Sequence, residues 1–196
     1  MLSTSRTIDR AVAALRRGGV VLYPTDTLLG LGARASDEEG VSKVFRIKNR
    51  PREMPISVLI SSTEEIETWA SLTRESRISL RRFLPGPYTF IVWASQRAKD
   101  EFARGIVSSE GTIGVRIPDH DVARELALRA GPITSTSANV HGTETCASVT
   151  IARRAFGKDV EVYLPATPPP SGHPSSILDI REREFRPVHR KRLKTQ

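Results

Sequence analysis

The chain has 196 residues, 38% of them hydrophobic and 27% charged, which fits one folded domain and excludes a disordered chain. A formal charge of +8, carried mainly by arginine, points to an anionic ligand such as a nucleotide or nucleic acid. The single cysteine, Cys146, excludes an internal disulfide and a cysteine-built zinc site. No apolar run approaches the roughly 18 residues of a membrane span.

Residues 1–14 lack the apolar core of a signal peptide, so the expected compartment is the cytoplasm. Residues 7–17 place Ile8, Val12 and Leu15 on one helical face, and Gly18-Gly19 stops the helix. Residues 20–23 then read as a buried strand. It empties into Thr25-Asp26-Thr27, a turn followed by the glycine pair Gly30 and Gly32. Ser36-Asp37 caps a second helix carrying Val41, Val44 and Phe45, which ends before Pro51. Around that end stand Lys48, Arg50 and Arg52, cations on a proline-stiffened surface turn that suits phosphate. The ordinary alternative is that they offset the helix dipole.

Residues 56–60 form an apolar strand, 63–70 and 73–83 helices, and 88–93 the clearest strand in the chain. Residues 101–109 read as irregular, 112–117 as a strand, and 121–130 as a helix opening on its Asp cap. Asp119-His120-Asp121 reads as part of that cap, with His120 on the surface. The four histidines, His120, His141, His173 and His189, have no ligand spacing, so no metal site is expected. A short strand at 133–135 leads into Ser135-Thr136-Ser137-Ala138-Asn139, a second hydroxyl cluster. Ser148 caps a helix over 149–156. The Pro-rich stretch 165–174 is a mobile loop, and 176–180 and 184–188 are strands, paired around Arg181-Glu182-Arg183. Residues 1–190 form one domain and 191–196 a basic tail.

Ser137 lacks the neighbouring His-Asp pair of a triad nucleophile. Neither a G-x-S-x-G elbow nor a G-x-x-x-x-G-K-[ST] phosphate loop occurs. Gly30-Leu31-Gly32 does not continue into G-x-G-x-x-G. Two polar clusters at strand ends, one in each half, instead suggest a single site built from both.

Several ordered motifs resemble the YrdC-domain family: Y-P-T-D-T-L-L-G-L at 23–31, K-N-R-P at 48–51, P-G-P-Y-T at 85–89, V-R-I-P-D-H at 115–120, S-A-N at 137–139, and S-S-I-L-D at 175–179 with Arg186. The resemblance covers nearly the whole chain and matches the short form. It implies a single-domain α/β fold, an open twisted mixed sheet with flanking helices and a basic concave site. The implied activity is condensation of L-threonine, bicarbonate and ATP to threonylcarbamoyl-AMP and pyrophosphate. That product serves modification of the adenosine next to the anticodon in tRNA.

By the same resemblance Lys48, Arg50, Ser137 and Asn139 form a catalytic, nucleotide-binding tetrad, with Thr112 and Arg186 as further ATP contacts. Thr27, Arg116, Thr136 and Ser176 hold threonine. Mg²⁺ enters with ATP rather than at a site of the protein's own. Partner proteins of a threonylcarbamoyl-transfer complex are implied, and direct tRNA binding is left open. Departures from the family pattern stand at Leu29, Met54, Leu59 and His141; Leu29 and Leu59 are expected to add apolar surface near threonine. The alternatives are a non-catalytic RNA-binding module and a carbamoyl-transfer domain of hydrogenase-maturation type. An RNA binder calls for scattered cations and exposed stacking aromatics, and only 6% of this chain is aromatic.

Overall fold

The computed structural model describes residues 4–181 and 186–188. In chain order the elements are α1 (Thr4–Arg16), β1 (Val21–Tyr23), β2 (Gly30–Gly32), α2 (Glu38–Lys48), β3 (Ser57–Leu59), α3 (Thr63–Trp69) and β4 (Ala70–Ser71). Then follow α4 (Arg74–Phe83), β5 (Tyr88–Ala94), α5 (Gln96–Glu101), β6 (Thr112–Arg116), α6 (Asp121–Ala130), β7 (Ile133–Ser137), α7 (Val149–Phe156), β8 (Val162–Tyr163), β9 (Ser176–Asp179) and β10 (Arg186–Pro187). The ten strands form one mixed sheet in the order β10-β9-β5-β6-β3-β7-β2-β1-β8, with β4 added beside β5. The basic tail 191–196 and Glu182-Arg183 of the proposed hairpin lie outside the described residues; β9 and β10 do pair antiparallel.

Period-2 alternation divides the strands between two cores. On one face Leu22, Leu31, Val58, Phe90, Val92 and Val115 meet α2 through Val41, Val44 and Phe45, and α7 through Ala152 and Phe156. On the other face Val21, Tyr23, Leu59 and Ile133 are covered by Ile8, Val12 and Leu15 of α1 and by Ala123, Leu126 and Ala127 of α6. α1 and α6 seal only part of that second face.

The caps account for most helix starts. Asp37 accepts from the Gly40 amide, Ser62 from Glu65, Thr73 from Ser76 and Ser148 from Ile151. α2 stops at Asn49, whose φ of 47° is left-handed, two residues before Pro51. α5 is a difference from the sequence reading. Its sequence Q-R-A-K-D-E buries only Ala98, so no apolar period marks it, although Ser95 caps it by accepting from the Ala98 amide.

The glycine pair is a second difference. Residues 30–32, given no element in the sequence reading, form a strand between β1 and β7. A Cβ at Gly30 or Gly32 would stand 2.6 or 2.9 Å from the Tyr23 ring, so close side-chain packing across the strands requires both glycines. The third difference is at α6. Asp121 is its first residue, the N-cap is His120, and His120 is buried rather than on the surface, at 6% exposure.

Candidate active site

The uncovered part of the second sheet face is floored by every other residue of successive strands. Thr89 and Ile91 of β5, Arg116 of β6, Ser57 of β3, Ser135 and Ser137 of β7, Gly30 of β2 and Tyr23 of β1 all line one cleft of about 710 Å³. Lys48 and Arg50 enter from the end of α2, and Asn139, His141 and Thr143 from the loop after β7. The two hydroxyl clusters therefore meet, as the sequence suggested. Strand pairing is the cause: Gly30 is in register with both Tyr23 and Ser137.

Lys48 does not stand on a surface turn. It is 2% exposed, and its ammonium donates to the carbonyls of Ser137 (2.5 Å) and Asn139 (2.8 Å) and to Asn139 Oδ1 (3.1 Å). The backbone of α2 returns the contact, its Lys48 carbonyl accepting from the His141 amide at 2.6 Å. Ser137 Oγ donates to Asn139 Oδ1 at 2.7 Å, and Asn139 Nδ2 donates to the carbonyls of Val140 and Thr143, both at 2.8 Å. Lys48, Ser137 and Asn139 thus form one braced unit. The reason is topological: the last residue of α2 meets a strand end whose carbonyls have run out of ladder partners.

Arg50 sits differently. Its guanidinium donates to the carbonyls of Met54 (2.8 Å) and Pro55 (3.0 Å), holding its own loop in shape at the rim. Arg52 lies outside the cleft, over the Phe45 ring and bonded to Ser42.

On the opposite wall Arg116 is 6% exposed and donates through Nη2 to Asp26 Oδ1 and to Thr27 Oγ1, each at 2.5 Å. Its Nε and Asp26 Oδ2 are buried without a partner. Thr25 Oγ1 lies 3.0 Å from Thr27 Oγ1 and donates to the Leu28 carbonyl, so the turn holds itself. Burial holds the Tyr23 hydroxyl well above the ordinary tyrosine range, and it donates to the Thr134 carbonyl. Burial also raises the Cys146 thiol, opposed by the Lys48 charge.

Of the residues predicted for the site, Lys48, Arg50, Ser137, Asn139, Thr27, Arg116 and Thr136 line this cleft; Thr112, Ser176 and Arg186 do not. Alternation explains Ser176. Its neighbours Ser175 and Ile177 line the cleft, with Ser175 bonded to Thr89, so Ser176 faces away and is exposed. Thr112 is buried at the far end of β6, its hydroxyl 2.7 Å from that of Ser108. Arg186 is exposed on β10, opposite Asp179. Leu29 does line the cleft, whereas Leu59 is sealed within the α1–α6 core and adds nothing to it. Asp26 was missed as a site residue, because only the folded chain shows that its carboxylate holds Arg116.

A mixed sheet with a polar, cation-walled cleft on its half-open face defines an α/β protein built for a small anionic ligand. The sequence profile of the Sua5/YciO/YrdC family, described as "Telomere recombination", matches residues 13–191, and the chain belongs to that family. It is 36% identical over 181 residues to the threonylcarbamoyl-AMP synthase of Chromobacterium violaceum, covering 91% of each chain. It is 31% identical over 182 residues to that of Vibrio vulnificus, covering 91% of this chain and 96% of the relative. Among solved structures it resembles Sua5 of Pyrococcus abyssi complexed with L-threonine, with a TM-score of 0.80 and 30% identity. That match covers 88% of this chain and 50% of the longer protein. Among the described residues no helix is long and apolar enough to cross a membrane.

Proposed function

We propose that this chain is a threonylcarbamoyl-AMP synthase, a nucleotidyltransferase that condenses L-threonine, bicarbonate and ATP. The threonine amine attacks the bicarbonate carbon, and the bicarbonate C–OH bond breaks, its hydroxyl leaving with an amine proton as water, to give the N-carboxylate. A carbamate oxygen then attacks the α-phosphorus of ATP, and pyrophosphate leaves as the α–β phosphoanhydride breaks. The observation that carries this reading is one cleft with cations on opposed walls: Arg50 on one side beside the Ser137–Asn139 unit that Lys48 braces, Arg116 with Thr27 on the other. That spacing suits a substrate with phosphates at one end and a carboxylate at the other. The names of the relatives favour an enzyme over a non-catalytic RNA-binding module.

Phosphoryl chemistry of this kind needs positioning and charge neutralisation, with no covalent protein intermediate. Arg50 and the Ser137–Asn139 unit are assigned to the nucleotide. Arg116 is assigned to the threonine carboxylate through its planar fork, and Thr27 and Thr136 to the threonine hydroxyl and amine. Mg²⁺ arrives with ATP as part of the substrate, since no carboxylate lines the cleft among the described residues. Loop 165–174, which donates from the Ser171 and Gly172 amides to the turn at Asp26 and Thr27, serves as a lid over the hydrolysable product. The product passes to partner proteins that modify tRNA, which assigns the reaction to the cytoplasm.

The test is incubation with ATP, bicarbonate and labelled threonine, following pyrophosphate and adenylate. Pyrophosphate release should require both threonine and bicarbonate. ATP hydrolysis to ADP at a rate indifferent to threonine would overturn the reading.

A further inference from the structure

The roles above furnish the two ends of the cleft and leave its middle without a protein group. Strand register defines that middle. β3 lies between β6 and β7, parallel to the first and antiparallel to the second. Arg116 stands two residues beyond Gly114 on β6, and Ser137 two residues beyond Ser135 on β7. Those two strands run in opposite directions, so Arg116 and Ser137 mark opposite corners of the floor. Between them one row crosses the sheet, formed by Ile91, Gly114, Ser57 and Ser135. From Ser57 each corner is one strand across and two residues along, roughly 8 Å.

Ser57 is half-buried and lines the cleft at the centre of that row. On its β6 side a Cβ at Gly114 would stand 2.3 Å from Ser57 Oγ, so the hydroxyl lies over bare backbone on the midline of the floor. Other hydroxyls of the cleft are engaged: Thr25 with Thr27, Thr89 with Ser175, and Ser137 with Asn139 Oδ1. Ser57 Oγ has no hydrogen-bond partner among the described residues and is free to donate to a bound molecule. Its strand is also tied to the rim cation, since Arg50 donates to the Pro55 carbonyl two residues earlier, at 3.0 Å.

Synthesis of a threonylcarbamoyl adenylate puts one carbon between the amine on the Arg116 side and the α-phosphorus on the Arg50 side. That carbon comes from bicarbonate. Of its two carboxylate oxygens, one attacks phosphorus and the other must be held to fix the plane of the group. A neutral hydroxyl can hold it without drawing off the negative charge that the attacking oxygen needs, which a cation in the same place would do. We propose that Ser57 forms the bicarbonate subsite, its Oγ–H donating to the non-attacking oxygen of the N-carboxylate and turning the other toward the α-phosphorus. The inference rests on the function proposed above, with Arg116 at the threonine end and Arg50 at the nucleotide end.

The test compares wild type, Ser57→Ala and Ser57→Thr in buffer depleted of carbon dioxide, for the KM of bicarbonate, threonine and ATP, for kcat and for melting temperature. Ser57→Ala should raise the bicarbonate KM about tenfold, the size of one hydrogen bond to a charged group, and leave the threonine and ATP KM within about twofold. Its melting temperature should match the wild type, because the hydroxyl bonds nothing in the protein. Ser57→Thr keeps the donor on a strand that suits a β-branched residue and should recover most of the loss. An unchanged bicarbonate KM in Ser57→Ala, or a rise confined to threonine or ATP, would overturn the subsite while the proposed function stands. An equal rise in all three with a lower melting temperature would show a structural role and overturn it as well. If the wild type releases pyrophosphate without bicarbonate, the proposed function falls and the subsite with it.

Discussion

The two walls of the cleft use buried cations in opposite ways. On one, Lys48 directs its ammonium at three oxygens of Ser137 and Asn139 and binds a helix end to a strand end. On the other, Arg116 is gripped at one nitrogen by Asp26 and Thr27 and keeps a buried Nε without a protein partner. The first is a strut of the fold; the second is an arm held ready. A lysine is a point charge that three carbonyl-type oxygens can surround, whereas the guanidinium fork can be fixed at one edge and still present another. Identical formal charge therefore says little about which cation meets a substrate.

Removing the strut should give the largest effect. Lys48→Met removes the ammonium that ties the carbonyls of Ser137 and Asn139 and Asn139 Oδ1 to the end of α2, which should cost about 2–3 kcal/mol. For a chain of this size that is a fall of roughly 4–12 °C in melting temperature, with activity lost alongside. Thermal unfolding followed by circular dichroism checks it. An unchanged melting temperature would show that the brace is dispensable and restore Lys48 to the role of a plain phosphate ligand.

Arg50→Ala sharpens the contrast, because its guanidinium holds its own loop through the carbonyls of Met54 and Pro55, four and five residues away. Stability should change by no more than about 1 kcal/mol. The ATP dissociation constant should rise roughly ten- to a hundredfold, the worth of a charge-assisted phosphate contact of about 1.5–3 kcal/mol. Titration calorimetry with ATP measures this, and wild-type affinity would overturn the proposed role of Arg50 in nucleotide binding.

The smallest effect is a pH dependence beside the Arg116 wall. Burial lowers the pKa of His120 below the value of about 6.5 that it has in the unfolded chain. Between those two values the unfolded state binds the extra proton. Stability is thus unaffected well above pH 6.5 and falls as the pH drops through it, by at most about 1.4 kcal/mol per pH unit. Urea unfolding at pH 7.5 and 5.5 should show the loss in the wild type. His120→Gln should flatten it, and an equal slope in the variant would assign the acid sensitivity elsewhere.

Much of this molecule was legible before folding. The helices over 38–48 and 149–156 follow from Asp37 and Ser148 as caps with apolar residues at helical spacing, and β5 follows from its β-branched and aromatic run. Lys48-Asn49-Arg50-Pro51 and Ser137-Ala138-Asn139 marked the cleft through their place in the ordered motifs of the family resemblance; locally each also fits an ordinary helix-dipole offset or a Ser/Thr turn. α5 escaped because its six polar-rich residues bury a single alanine. The strand at the glycine pair was not legible because the Tyr23 ring that demands both glycines lies seven and nine residues away in sequence and only touches them through strand pairing.

What the sequence determined by itself was local: propensity, capping, period and the presence of cations and hydroxyls in a given order. Tertiary structure alone decided which of them share a surface. Alternation in β9 turned Ser175 toward the cleft and Ser176 away from it, and the covering of α6 withdrew Leu59. The crossing of β6 with the turn after β1 set Arg116 against Asp26, ninety residues apart in the chain. Burial, which makes Lys48 a strut and lowers the His120 pKa, is a sum over distant neighbours. No local pattern carries that sum, because the desolvation of a charge depends on every chain segment packed around it.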